Sequence, residues 1–158
     1  MAETNEAEAS RGPPVDTGIY LDSSALAKLY LPEDESDRLD TLLQGRRGLT
    51  ISHLAITEVL SAVAGRKREG LINAEQALQI RDALLADADS GVFELLNLDP
   101  TVHREAERLL LSTDSIPLRT LDALHVALAL SGSTSHVITF DARMRTVALQ
   151  VGLRVVEV

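Results

Sequence analysis

The run Thr120-Leu121-Asp122-Ala123-Leu124-His125-Val126-Ala127-Leu128-Ala129-Leu130 is built from strong helix formers and is apolar on nearly every face. A helix of that kind is buried on most sides, so the rest of the chain must supply layers that cover it. One charged residue interrupts the run. An ionised carboxylate in apolar surroundings costs several kcal/mol unless a cation, hydrogen bonds or a raised pKa relieves it, and that is comparable with the stability of a whole domain. Asp122 is therefore expected to have a partner. In a first helical turn it can cap free backbone N–H groups, with Thr120 competing for the N-cap. His125, one turn later on about the same face, reads either as a hydrogen-bond partner or as an ordinary half-buried histidine.

A chain of 158 residues suggests one domain with enough length to bury a core. Aromatic residues are only 3% of it, so that core must be Leu, Val, Ile and Ala, which favours an α/β or all-α fold. There is no cysteine, which excludes disulfides and thiolate metal sites and suits a reducing compartment. No apolar run is long enough to span a bilayer, and the acidic start Met1-Ala2-Glu3-Thr4-Asn5-Glu6 lacks the regions of a signal peptide. A soluble cytoplasmic protein without a membrane partner is the expectation.

The formal charge of -9 argues against a nucleic-acid partner, because phosphate contacts need Lys and Arg. The location of the charge weakens that objection. Glu3, Glu6, Glu8 and Asp16 sit in the first residues against Arg11 alone, and four more acids are candidates for one site. Arg46-Arg47, Arg66-Lys67-Arg68 and Arg143-Met144-Arg145 remain as basic clusters, read either as phosphate contacts or as solvated helix ends.

Residues 1–17 are polar, small and acidic around Pro13-Pro14, and read as a disordered tail before a single domain over 18–158. Gly18 to Asp22 is a short apolar run ending in a carboxylate and leading straight into a helical pattern from Ala25 to Leu31. Pro32 and Glu33-Asp34-Glu35 break that helix and open a second, to about Leu43. Gly45 and Gly48 frame a turn before a strand over Leu49 to Ser52. Leu54, Val59, Leu60 and Val63 then fall at helical spacing, with Glu58 near the start. Asn73 to Asp87 is an amphipathic helix carrying Ala77, Leu78, Ile80, Leu84 and Leu85. A strand over 92–96 follows, then Asp99-Pro100 as N-cap and N1 of a helix through Leu111, a loop over 112–118, and the buried helix. His136 to Phe140 is a strand with Asp141 just past it, and a last helix and strand close the chain. Strands alternating with helices predict a largely parallel sheet flanked by helices.

In such sheets, binding crevices open beyond the carboxyl ends of the strands. Asp22 and Asp141 occupy those ends, and Glu58 and Asp122 lie near helix starts, so all four are expected to converge on one edge. Four packed carboxylates cannot all ionise without a compensating cation, and Mg²⁺ or Mn²⁺ suits oxygen ligands. The four histidines show no metal-ligand spacing, which disfavours zinc. No phosphate-binding glycine loop or nucleophile elbow is present. A phosphoaspartyl phosphatase would place a second acid where Ser24 stands.

Leu21-Asp22-Ser23-Ser24-Ala25-Leu26, then Thr57-Glu58-Val59, then Leu118-Arg119-Thr120-Leu121-Asp122-Ala123-Leu124-His125, then Ile138-Thr139-Phe140-Asp141 resemble, in that order, the PIN-domain ribonucleases. The spacing is most similar to the VapC toxins of toxin–antitoxin pairs. The resemblance covers residues 18–158 and implies a PIN-like three-layer α/β sandwich. It also implies a metal-dependent endoribonuclease site of Asp22, Glu58, Asp122 and Asp141 as catalytic and metal-holding acids, supported by Ser24 and Thr139. The cofactor implied is Mg²⁺, with Mn²⁺ as a substitute, and the reaction is in-line attack of water on a phosphodiester. Ser24 as a plain helix cap, Thr139 as a plain strand residue and Glu58 as a first-turn carboxylate are the structural alternatives. The partners implied are an RNA substrate, a cognate VapB-like antitoxin and a second copy of the chain in a homodimer. Helices over 35–43 and 54–68 are the expected walls of the antitoxin groove. The competing readings are a non-catalytic PIN-like binding module and a metal nuclease acting on DNA.

Overall fold

Ile19, Tyr20 and Leu21 are all fully buried, although successive side chains of a strand point to opposite faces. A strand covered on both faces belongs to a sheet sandwiched between helices. In the computed structural model, which describes residues 13–14, 17–112, 117–132 and 134–158, this strand, β1 (Ile19–Leu21), is the centre of the sheet. The other strands are β2 (Leu49–Ser52), β3 (Glu94–Leu96), β4 (His136–Ile138) and β5 (Arg154–Val155). The helices are α1 (Ser23–Tyr30), α2 (Ser36–Leu43), α3 (His53–Arg68), α4 (Ala74–Ser90), α5 (Pro100–Ser112), α6 (Thr120–Ser131) and α7 (Ala142–Gln150).

The strand order is β3-β2-β1-β4-β5, and every pairing is parallel. Tyr20 lies opposite Thr50 on one side and Val137 on the other, while Leu21 lies opposite Ile138. The alternation divides the core in two. Ile19, Leu21, Ile51 and Ile138 pack with α1 to α4, and Tyr20 and Val137 pack with α5 to α7. This is the expected three-layer α/β sandwich, and its core is almost wholly aliphatic, with Tyr20 and Phe93 the buried aromatics.

Helix α6 is as enclosed as its composition demands, with every residue from Ala123 to Ala129 buried. Its N-cap is Arg119, and Thr120 is the first helical residue rather than the cap. The amphipathic reading of α4 holds in part. Leu84 is fully buried and Ala77 and Ile80 are partly so, but Leu78 and Leu85 are exposed. Those two leucines, two turns apart, share a face turned away from the line that packs on α1 and α3. The third and fourth strands are shorter than their apolar runs. Pairing stops at Ile138, so Thr139 and Phe140 leave the sheet and carry the chain to the N-cap of α7.

Gly48 is needed where it stands: its φ is 71°, and a Cβ there would lie 3.4 Å from the Gly18 Cα. Of the tail expected over 1–17, only Pro13, Pro14 and Thr17 fall within the described residues, and Arg46 donates to the carbonyls of both prolines at 2.7 and 3.2 Å. The loop expected over 112–118 lies partly outside them. Among the described residues, no helix is long and apolar enough to cross a membrane.

Candidate active site

The chain leaves β1 for β2 on one side and later returns to place β4 on the other, so the strand order reverses at the β1/β4 boundary. A crevice opens beyond the carboxyl ends of strands at such a point. Asp22 follows β1 directly and is the N-cap of α1. Its Oδ1 accepts hydrogen bonds from the Ala25 N–H at 2.9 Å and the Ser24 hydroxyl at 2.7 Å, and its Oδ2 accepts from Thr139 Oγ1 at 2.6 Å. Both supporters are themselves held. Ser24 Oγ accepts from the Phe140 N–H at 2.8 Å, and Thr139 Oγ1 accepts from the Asp141 N–H at 3.1 Å. Ser24, in α1, and Thr139, just past β4, thus both hold the Asp22 carboxylate, beyond the roles of a plain cap and a plain strand residue. Burial pushes the Asp22 carboxyl up, and the bonds from Thr139, Ser24 and Ala25 only partly offset it.

Asp141 caps α7 through Oδ1, which accepts from the Arg143 and Met144 N–H groups at 2.7 and 3.0 Å. Asp122 lies in the first turn of α6, with Oδ2 3.3 Å from the Arg119 N–H. Glu58 comes from the other side, on α3. All four acids line one cavity of about 460 Å³, shared with Ser23, Ser24, Arg119 and His125. Larger hollows of about 680 Å³ between α5, α6 and α7 and about 560 Å³ beside α1, α2 and α4 contain none of them. Size is a poor guide here, since convergent polar groups, not volume, make chemistry possible.

Burial and the like charge of Asp141 raise the Asp122 carboxyl above the ordinary range. Asp122 Oδ1 and Asp141 Oδ2 take no hydrogen bond from the described residues. Such an all-oxygen set, mutually repulsive and with oxygens to spare, fits a hard divalent cation. Among the described residues no three of these acids are already drawn to ligating distance.

His125 does not meet Asp122. It is 3% exposed, its Nε2 lies 2.5 Å from Glu58 Oε2, and its Nδ1 lies 2.7 Å from the Tyr20 hydroxyl. Glu58 is in the second turn of α3, which starts at His53, so the first-turn explanation of that acid does not apply. Burial would raise its carboxyl, but hydrogen bonds from His125 and Ser23 oppose this, and the carboxyl lies below the usual range. Tyr20, Ser52 and Arg119 were not singled out from the sequence. Ser52 carried a usable signal: like Asp22, it ends a strand and caps the following helix.

The family profile described as PIN domain matches residues 19–149. Ribonuclease VapC46 of Mycobacterium tuberculosis is 38% identical over 140 residues, covering 87% of this chain and 95% of that protein. Among solved structures, Mycobacterium tuberculosis VapC20, described as a sarcin-ricin loop cleaving toxin, superposes with a TM-score of 0.65 at 17% identity, over 82% of this chain and 94% of that one. A toxin-antitoxin complex from Klebsiella pneumoniae gives a TM-score of 0.57 at 19% identity, over 82% and 90% of the two chains.

Proposed function

The chain belongs to the PIN-domain family, and from that premise we propose that it is a VapC-type ribonuclease, the toxin of a toxin–antitoxin pair. It hydrolyses RNA phosphodiester bonds at the cavity of Asp22, Glu58, Asp122 and Asp141. One observation carries this reading: four carboxylates from two strand ends and two helices line a single hollow at the carboxyl edge of a parallel sheet. The match to a named ribonuclease across most of both chains supports the substrate class. All four acids are present, which favours the enzyme over a non-catalytic binding module.

Asp22, Glu58, Asp122 and Asp141 would hold Mg²⁺, or Mn²⁺ in its place. Bound there, the ion supplies a lowered pKa for water and neutralisation of charge on the scissile phosphate. The chain's own residues do the positioning. Ser24, the Ala25 N–H and Thr139 fix the Asp22 carboxylate, and the α7 N-terminus fixes Asp141, so neither must be ordered when substrate arrives. Among the described residues, Arg119 is the one arginine or lysine lining the cavity, and it would meet a phosphate oxygen. The four aromatic side chains, Tyr20, Tyr30, Phe93 and Phe140, are buried or half-buried, which leaves no stacking platform for bases. Recognition then rests on phosphates and RNA shape.

The antitoxin belongs to the same reading. An acidic cavity is a receptor for an Arg or Lys side chain, which would compete with cation and RNA. Helices α2 and α3 would wall the groove that an antitoxin segment follows, as the sequence suggested, and a hollow lined by Leu29, Tyr30, Leu43 and Phe93 lies beside α2. A homodimer and a single domain over 18–158 complete the proposal.

The test is a side-by-side incubation of antitoxin-free protein with end-labelled structured RNA and DNA of matched sequence, in Mg²⁺ or Mn²⁺ and in EDTA. Cleavage of RNA only, and only with metal, is expected. Preferential cleavage of DNA, or equal cleavage in EDTA, overturns the reading.

A further inference from the structure

Three of the four acids are anchored by backbone N–H groups at a helix start: Asp22 by Ala25, Asp122 by Arg119, and Asp141 by Arg143 and Met144. Glu58, in the second turn of α3, has no backbone anchor among the described residues. A glutamate side chain left to itself samples several rotamers, and fixing them costs entropy. Its fixed points are His125, the stronger, and Ser23. Behind His125 stand Tyr20 and Ser52, both fully buried, so that β1, β2 and α6 together support one carboxylate on α3.

The direction of this chain of bonds follows from counting hydrogens. Ser52 Oγ accepts from the Ala55 N–H at 3.1 Å, so its own hydrogen must go to its other neighbour, the Tyr20 hydroxyl oxygen at 2.9 Å. The Tyr20 hydrogen then has His125 Nδ1 as its acceptor, at 2.7 Å. With Nδ1 accepting, the imidazole carries its hydrogen on Nε2 and donates it to Glu58 Oε2. The reverse order leaves the Ser52 hydrogen without an acceptor among the described residues, at a fully buried position where unpaired polar groups are costly.

We propose that Ser52, Tyr20 and His125 form a buried relay that fixes His125 as the Nε2–H tautomer and so positions the Glu58 carboxylate at the cavity. His125 and Tyr20 are positioning residues that act through Glu58. The consequence for metal binding rests on the function proposed above, whereas the tautomer does not.

The test uses full-length protein labelled with ¹⁵N-histidine and free of metal. Long-range ¹H–¹⁵N correlation spectra report which ring nitrogen of each histidine carries hydrogen, and His125→Gln and His103→Gln assign the resonances. Wild type is expected to show His125 as the Nε2–H tautomer. Tyr20→Phe removes the donor to Nδ1, and the expected result is a mixture of tautomers together with about 10-fold weaker Mn²⁺ binding by titration calorimetry. The exposed-site variant His103→Gln leaves both readouts unchanged. If Tyr20→Phe does not fold, Ser52→Ala interrupts the relay one link earlier, and the wild-type spectrum still decides the tautomer. An Nδ1–H His125 in wild type overturns the relay, as does a Tyr20→Phe protein with unchanged tautomer and unchanged Mn²⁺ affinity. A tautomer that depends on Tyr20 in a protein that binds no Mn²⁺ supports the relay and overturns the metal reading alone.

Discussion

Thr139 Oγ1 donates a 2.6 Å hydrogen bond to Asp22 Oδ2, joining the ends of β4 and β1 across 117 residues of sequence. The same oxygen accepts from the Asp141 N–H, so one hydroxyl holds two of the four acids in register. Thr139→Val keeps the shape and removes both bonds, leaving a buried carboxylate short of a donor. A loss of about 1–3 kcal/mol in urea denaturation is expected, typical of an unmet hydrogen bond to a buried charged group. A variant as stable as wild type would contradict this account of Thr139.

Thr50 carries the opposite expectation. It is 1% exposed, and its hydroxyl has no hydrogen-bond partner among the described residues. Thr50→Val fills the same space with a methyl group and removes an unpaired polar atom, so stability should rise by roughly 1 kcal/mol. The two substitutions are chemically identical, and the same denaturation experiment should move them in opposite directions.

Asp122 gives a pH-dependent prediction. Its carboxyl is raised by burial first and by Asp141 second, so the folded chain holds that proton more tightly than the unfolded chain does. Ionisation at neutral pH therefore costs stability, and the cost vanishes as pH falls below the unfolded value of 3.8. In EDTA at neutral pH, Asp122→Asn should raise Tm by roughly 1–2 °C, a small shift because solvent screens a partly exposed carboxylate. The gain should shrink on acidification. A lower Tm at neutral pH, or a gain that grows in acid, would contradict the assignment.

The acids were legible in the sequence because carboxylates stand out against apolar runs. Asp22 and Asp141 end strand-like segments, and Asp122 interrupts a helix otherwise without charge. The parallel sheet followed from strands too apolar for one solvated face, such as Ile19 to Leu21. The support of Glu58 was not legible. Tyr20 reads as a core residue, Ser52 as the end of a strand and His125 as a neighbour of Asp122, because helical spacing gives a direction but not which residue of another element lies along it. Their meeting depends on the register that sets Tyr20 beside Thr50, and no local pattern encodes that register. The strand ends at Ile138 and the exposed side of α4 were misjudged for a related reason: an apolar residue reports a preference for burial, while the neighbours decide whether cover exists.

The most direct test of the central claim is the chemistry of the cut ends. RNA cleaved by antitoxin-free protein in Mg²⁺ should carry 5′-phosphate and 3′-hydroxyl ends, the products of attack by water, and Asp22→Asn, purified identically, should leave the RNA intact. A 2′,3′-cyclic phosphate, or equal cutting by Asp22→Asn, would contradict the account: the nucleophile would be the RNA's own 2′-hydroxyl, or the acids would serve the fold alone.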